Sequence, residues 1–270
     1  VVGDVNSTMA CSIVSRKLNI EVAHVEAGIR SHDLSMPEEI NRIVTDSISN
    51  YFFTTSLLAN DNLISNGVET KNIFFVGNTM IDTLLSNKNK FCKPEFWDLY
   101  DLKTNNYLII TLHRPANVDN PKILKSILNE IVINSNDMPV IFPMHPRTKQ
   151  IYDKLNLKFK TLLIVNPMSY FEFNYLVMNS KAVITDSGGI TEETTVLGIP
   201  CLTIRDNTER PETITIGTNE LVGTKPENLK PYMQKLFSGN WKKGNIPKLW
   251  DGHTSKRIVK KLVSIYNLKN

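Results

Sequence analysis

Short apolar runs alternate with amphipathic stretches along almost the whole chain. Period-two or continuous apolar runs predict strands over residues 20–26, 51–54, 73–76, 107–112, 139–144, 162–165 and 181–185. Val1-Val2 reads as the end of one more strand. Between them, helical spacing predicts helices over 7–17, 37–49, 56–66, 79–86, 121–135 and 255–268. Asn6 or Ser7 caps the first of these. Pro37 suits the first turn of the second, where Glu38 and Glu39 complement the helix dipole. The final helix carries Ile258, Leu262, Val263 and Ile265 on one stripe.

This alternation predicts an α/β protein built from doubly wound parallel sheets covered on both faces. The polar, lysine-rich stretch 87–106, interrupted by Pro94, divides it. The expected organisation is a Rossmann-like domain over 1–90, a linker over 91–106 and a second Rossmann-like domain over 107–252. Residues 253–270 then form a helix crossing back toward the first domain. Sheets of this kind bind ligands beyond the carboxyl ends of their strands, so two facing domains would hold chemistry in a cleft.

Composition narrows the class. Hydrophobic content of 41% and charged content of 21% are those of a soluble globular protein. No apolar run approaches the roughly 18 residues needed to cross a bilayer, and the start has no basic region followed by an apolar core. The chain opens on V-V-G-D, in what reads as the middle of a strand, so its first domain is expected to be incomplete. The net charge of +4 is dispersed, and the basic stretches near residue 242 and over 255–261 lack interleaved aromatics. Solvated helix faces are expected there, not a nucleic-acid partner. Cys11, Cys92 and Cys201 are far apart, have no metal-ligand spacing and suit a reducing cytoplasm. Asn6-Ser7-Thr8 matches a glycosylation sequon, which is discounted without a secretory signal.

Several segments could carry chemistry. In T-D-S-G-G-I-T-E-E, residues 185–193, a buried strand runs into Ser187, Gly188 and Gly189 and then a helix. Glycines at a helix N-terminus let a phosphate approach free N–H groups, and Glu193, one turn on, could accept from ribose hydroxyls. A plain strand–helix turn capped by Asp186 or Ser187 also fits. In T-L-H-R-P-A-N, His113 and Arg114 end a strand, where they could hold a phosphate or orient a reacting group. His145 occupies the equivalent place on the next strand, and Arg205, Glu209 and Arg210 lie in a later loop. In the first half, Asp4, Glu26 and Glu38 fall at strand ends or helix starts. Each alone could be a cap or an ion-pair partner, Glu26 with Arg30 for instance. Together they form the constellation a proton-transfer enzyme needs.

Taken in order, G-D-V-N-S-T, H-V-E-A-G-I-R-S, M-P-E-E-I-N-R, F-V-G-N-T-M-I-D, T-L-H-R-P, H-P-R-T, T-D-S-G-G-I-T-E-E and N-T-E-R-P-E-T span nearly the whole chain. The set resembles the non-hydrolysing UDP-N-acetylglucosamine 2-epimerases, which share the two-Rossmann GT-B fold of many glycosyltransferases. The resemblance implies acid/base roles for Asp4, Glu26 and Glu38 and a catalytic-site role for His113. It implies nucleotide contacts for Ser187, Gly188, Gly189, Glu193 and Arg210. Arg114 and His145 are further candidates for UDP-sugar contact, including at a second, regulatory site.

The implied reaction eliminates UDP to give 2-acetamidoglucal and re-adds it with a proton on the other face of C2. It uses no cofactor or metal and is carried out by a cytoplasmic homodimer with a UDP-sugar as partner. Alternatives are an epimerase of a modified UDP-2-acetamido sugar, a hydrolysing epimerase, a GT-B glycosyltransferase or a nucleotide-sugar-binding pseudoenzyme. Two departures from the family pattern stand out. Thr191 replaces a common Gln, expected to be a harmless helix-surface change, and the family's early βα units with a Gly-Thr-Arg-Pro-Glu loop have no counterpart.

Overall fold

The computed structural model describes residues 1–268 and divides into two compact units, Val1–Ser86 joined by the chain from Pro247, and Asn87–Ile246. The first unit runs α1 (Asn6–Lys17), β1 (Ala23–Val25), α2 (Pro37–Ile48), β2 (Tyr51–Thr54), α3 (Leu57–Ser65), β3 (Ile73–Phe75) and α4 (Thr79–Asn87). Its strands form a parallel sheet in the order β1-β2-β3, and Val2 bridges Val25 in parallel beside β1. Because side chains alternate along a strand, Phe52 packs with Ala27 and Leu63 on one face of β2. Phe53 packs with Val76 and Ile258 on the other.

Helix α2 inverts the usual pattern. Its buried residues are Glu39, Asn41, Arg42, Thr45 and Asp46, while Ile40 and Ile43 are 47% and 39% exposed. Buried charges persist only when paired, and these are. Arg42 bridges Glu39 and Asp4, and Asp46 meets His24 and Arg30.

In the second unit come α5 (Phe96–Leu99), β4 (Leu108–Thr111), α6 (Pro115–Val118), α7 (Pro121–Ile133), β5 (Val140–Pro143), α8 (Pro146–Lys154) and β6 (Leu162–Val165). There follow α9 (Tyr170–Asn179), β7 (Ala182–Thr185), α10 (Gly188–Leu197), β8 (Cys201–Thr203), α11 (Pro211–Thr215), β9 (Asn219–Leu221) and α12 (Leu229–Phe237). The six strands are parallel in the order β6-β5-β4-β7-β8-β9. Winding goes outward from β4 in one direction and restarts at β7 in the other. The gap between the ends of β4 and β7 is therefore the topological switch point, where open α/β sheets take their ligands. Leu108, Ile110 and Leu112 face one apolar core with Leu124, Ile127 and Met233. Tyr107 and Ile109 face the other with Leu176 and Val177.

Two expected boundaries move. The stretch read as a linker, 91–106, packs inside the second unit: Trp97 is 7% exposed and stands edge-on to Tyr107 and Tyr175, with centroids 5.5 and 5.3 Å away. At the other end, the chain rejoins the first unit from Pro247, earlier than 253. Trp250 is the reason, being 1% exposed with its indole N–H donating to the Thr55 carbonyl at 3.1 Å. The closing helix α13 (Thr254–Asn267) begins where Asp82 accepts from the Thr254 and Ser255 N–H groups. Ile258 is buried on its stripe, while Leu262 and Val263 are 39% and 52% exposed. The last two residues of the expected 253–270 segment lie outside the described residues. Among the described residues, no helix is long and apolar enough to cross a membrane.

Candidate functional site

Each unit gathers candidate residues at the carboxyl ends of its parallel strands. In the first, Asp4 follows the Val2 bridge and Glu26 follows β1. Glu26 adopts φ +77°, a left-handed conformation costing a non-glycine residue about 1–2 kcal/mol. Its N–H and that of Ala27 both donate to the Phe53 carbonyl, at 2.9 and 3.1 Å, which holds the turn. Gly28 completes it at φ +77°, where a Cβ would stand 2.3 Å from the Ala59 carbonyl oxygen. A carboxylate therefore sits at a backbone position that glycine would fill at less cost.

The turn aims Glu26 back over the neighbouring strand end: a Cβ on Gly3 would lie 3.6 Å from Glu26 Oε2. Asp4 comes next in the chain. Its carboxylate accepts from Arg42 Nε at 3.0 Å and Nη2 at 2.5 Å and is 29% exposed. Glu38, exposed in the first turn of α2, lines a cavity of about 470 Å³ together with Asp4, Asn6, Ser7 and Asn41. Asp4 and Glu38 thus share one cavity, and Glu26 lies in the same unit against Gly3, the residue before Asp4.

Their support was not read from the sequence. The loop to Glu38 is held by Glu39, which accepts from the Ser31 and His32 N–H groups at 2.9 and 3.0 Å and from Arg42 Nη1 at 3.0 Å. Burial pushes the Glu39 carboxyl up, but these donors outweigh it and hold its pKa below the ordinary value. Arg30 donates to Asp46, at 2.7 Å, and to the Ile29 carbonyl.

In the second unit, His113 and Arg114 leave β4 beside Asp186 and Ser187, which leave β7. Asp186 is fully buried. It accepts from the N–H groups of His113 and Arg114 at 3.1 and 3.0 Å and from Asn117 Nδ2 at 3.0 Å. Its Oδ1 is 2.7 Å from His113 Nδ1, on a ring that is 63% exposed. Burial raises the Asp186 pKa, yet His113, Asn117 and Arg114 together take it below the ordinary value. The carboxylate stays ionised and fixes the His113 ring. Arg114 Nε donates to the Asp186 carbonyl at 3.0 Å. Sequence reading treated Asp186 only as a possible cap. The pairing of Thr111 with Thr185, which brings the two strand ends together, was the missing signal.

Helix α10 opens directly after Ser187, so the first-turn N–H groups of Gly188 and Gly189 have no intrahelical partner. A Cβ on Gly188 would stand 2.5 Å from Glu209 Oε1, so any larger residue there must displace the Glu209 carboxylate. Glu209 pairs with Arg205 at 2.5 Å. Burial pushes its carboxyl up, but Arg205 and then Arg210 bring it down to about 2. Arg210 reaches Glu192 Oε1 at 2.5 Å. Glu193 is 5% exposed and accepts from the Tyr170 hydroxyl at 2.7 Å. Its pKa is raised by burial, against the hydrogen bonds from Tyr170 and Asn174. Thr191 is a correction to the sequence reading: it is 1% exposed, not on the helix surface, and its hydroxyl donates to the Gly188 carbonyl at 2.5 Å. His145 caps α8, accepting from Arg147 N at 3.3 Å, and stands exposed at the end of β5, one strand from His113.

Comparison with known proteins gives this geometry a family. The family model for UDP-N-acetylglucosamine 2-epimerase matches residues 1–263. A UDP-N-acetylglucosamine 2-epimerase of Methanocaldococcus jannaschii is 43% identical, over 96% of this chain and 73% of its own length. A UDP-2,3-diacetamido-2,3-dideoxy-D-glucuronate 2-epimerase of Pseudomonas aeruginosa is 42% identical, over 83% of this chain and 62% of its own. The crystal structure of the M. jannaschii UDP-GlcNAc 2-epimerase in complex with UDP-GlcNAc and UDP superposes with a TM-score of 0.82, covering 97% of this chain and 74% of that one. With a family model spanning nearly its whole length, the chain belongs to the UDP-N-acetylglucosamine 2-epimerase family.

Proposed function

We propose that this chain is an isomerase that interconverts UDP-GlcNAc and UDP-ManNAc without net hydrolysis. The observation that carries the reading is the placement of Asp4 and Glu26 at strand ends and Glu38 at the start of α2 in one unit, with Asp4 and Glu38 lining one cavity. A carboxylate from this group takes the C2 proton while the C1–O bond breaks and its electron pair leaves with UDP. The neutral product is 2-acetamidoglucal. UDP oxygen then re-adds at C1 as a proton reaches the opposite face of C2, which restores every atom.

Two proton-transfer groups in different environments suit the two faces. Asp4 lies against the Arg42 guanidinium and Glu38 is exposed. The departing diphosphate carries the developing negative charge. Ser187, Gly188 and Gly189 at the start of α10, with Arg114 and Arg210, supply donors for it. His113, oriented by Asp186, donates to the same leaving group. Glu193 accepts from the ribose hydroxyls. The chemistry needs neither redox cofactor nor metal. The family resemblance further implies a cytoplasmic homodimer, which sedimentation of the purified chain tests.

Incubation with UDP-GlcNAc, followed by proton NMR of the nucleotide sugars, tests the reading. UDP-ManNAc should accumulate to a constant ratio. Free ManNAc with UDP would instead mark a hydrolysing enzyme, and UDP binding without conversion a pseudoenzyme. A second reading, action on a modified UDP-2-acetamido sugar, has support from the P. aeruginosa relative, whose identity to this chain nearly equals that of the M. jannaschii enzyme. Comparing kcat/KM on UDP-GlcNAc and on a UDP-2,3-diacetamido uronate separates the two.

A further inference from the structure

A buried polar chain joins the two turns that carry Asp4 and Glu26. His24, at the centre of β1, is 0% exposed, at a position where a parallel strand ordinarily carries an aliphatic residue. Its Nδ1 is 2.6 Å from Asp46 Oδ1, and its Nε2 is 3.0 Å from the Gly3 carbonyl oxygen. Both neighbours are acceptors. Asp46 Oδ2 already takes hydrogen bonds from Gly28 N at 3.1 Å and Arg30 Nη2 at 2.7 Å, as an ionised carboxylate does. A neutral imidazole has one N–H, so it would point a lone pair at one of these oxygens inside the protein. A ring with hydrogens on both nitrogens satisfies both.

We propose that His24 carries both ring hydrogens and is a positioning residue for the acid/base carboxylates. It ties the Gly3 carbonyl, next to Asp4, to Asp46, and through Asp46 to Gly28, two residues past Glu26. The two turns that present Asp4 and Glu26 are thereby held to one buried carboxylate on α2, that of Asp46. This inference rests on the proposed epimerase reading. It adds that the spacing of the two carboxylates depends on a side chain that never touches substrate.

The test has two parts, both on the full chain. Nitrogen-15 NMR of the histidine rings at neutral pH should show both His24 ring nitrogens bearing protons; a single neutral tautomer overturns the proposal. Second, His24→Asn keeps a donor toward Asp46 but cannot reach Gly3, whereas His24→Gln can reach Gly3. His24→Asn should lower kcat about tenfold or more through carboxylate misplacement. KM for UDP-GlcNAc should stay within about twofold, because the proposed UDP contacts lie elsewhere. His24→Gln should recover part of the loss. Variants as active as a competent wild type overturn the positioning role alone. A wild type that binds UDP but never epimerises overturns the proposed function, and the positioning role with it.

Discussion

Asp186 Oδ1 stands 2.7 Å from His113 Nδ1, and the same carboxylate accepts the His113 backbone N–H. Ring and backbone of one residue are thus held by a single buried anion at the switch point. Asp186→Asn preserves the shape but turns an amide toward these donors. It should lower kcat about a hundredfold, as misplacement of a catalytic group does. The protein should also lose about 2 kcal/mol, the scale of a hydrogen bond to a charged group. Steady-state kinetics with urea unfolding checks both; unchanged kcat would leave Asp186 a purely structural residue.

Replacing Gly188 by Ala should separate binding from folding. The new methyl would meet Glu209 Oε1 at 2.5 Å and lie 3.7 Å from Arg205 Nη1, crowding the start of α10. Alanine favours the helix by up to about 1 kcal/mol, which offsets part of that crowding. UDP affinity should fall tenfold or more, with a change in Tm of only a few degrees. Calorimetry with UDP beside thermal melts reads the two effects.

If Glu193 accepts from ribose, Glu193→Ala should weaken UDP by about tenfold, the scale of one charged hydrogen bond. It should leave the affinity for 2′,3′-dideoxy-UDP unchanged. Equal losses for both ligands would contradict that role.

Acid should unfold this protein through its paired carboxylates. The Glu209 pKa is depressed from 4.5 to about 2, so its contribution is complete above pH 4.5 and is lost as pH falls toward 2. A shift of that size corresponds to about 3 kcal/mol. Asp186 and Glu39, also depressed, act in the same sense. Glu193 and Glu212, raised by burial, act in the opposite one. Unfolding free energies measured between pH 6 and pH 2.5 should fall steeply in the wild type and less steeply in Glu209→Gln.

Local signals explain which features the sequence disclosed. Proline at the start of α2 and α7 and the apolar runs of β4, β5 and β7 are properties of a few neighbouring residues, so those elements were legible. Asp4, Glu26 and His113 could be singled out as candidates because parallel strands put their last residues at one edge. Asp186 was not, since its partner is 73 residues away and only the β4–β7 pairing joins them. Arg42 and Asp46 were missed for a different reason: hydrophobic periodicity assumes that a helix buries its apolar face, and α2 buries its charges. Trp97 was lost in a lysine-rich stretch whose average polarity concealed one large core side chain.

In the proposed reaction Asp4, Glu26 and Glu38 move the C2 proton. The direct measurement is turnover of UDP-GlcNAc in D2O, with NMR at C2 of the recovered nucleotide sugars. The wild type should place solvent deuterium at C2 of UDP-ManNAc and of returned UDP-GlcNAc, and Glu26→Gln should slow this at least a hundredfold while still binding UDP. UDP-ManNAc formed with its original hydrogen at C2, or undiminished exchange in Glu26→Gln, would contradict it.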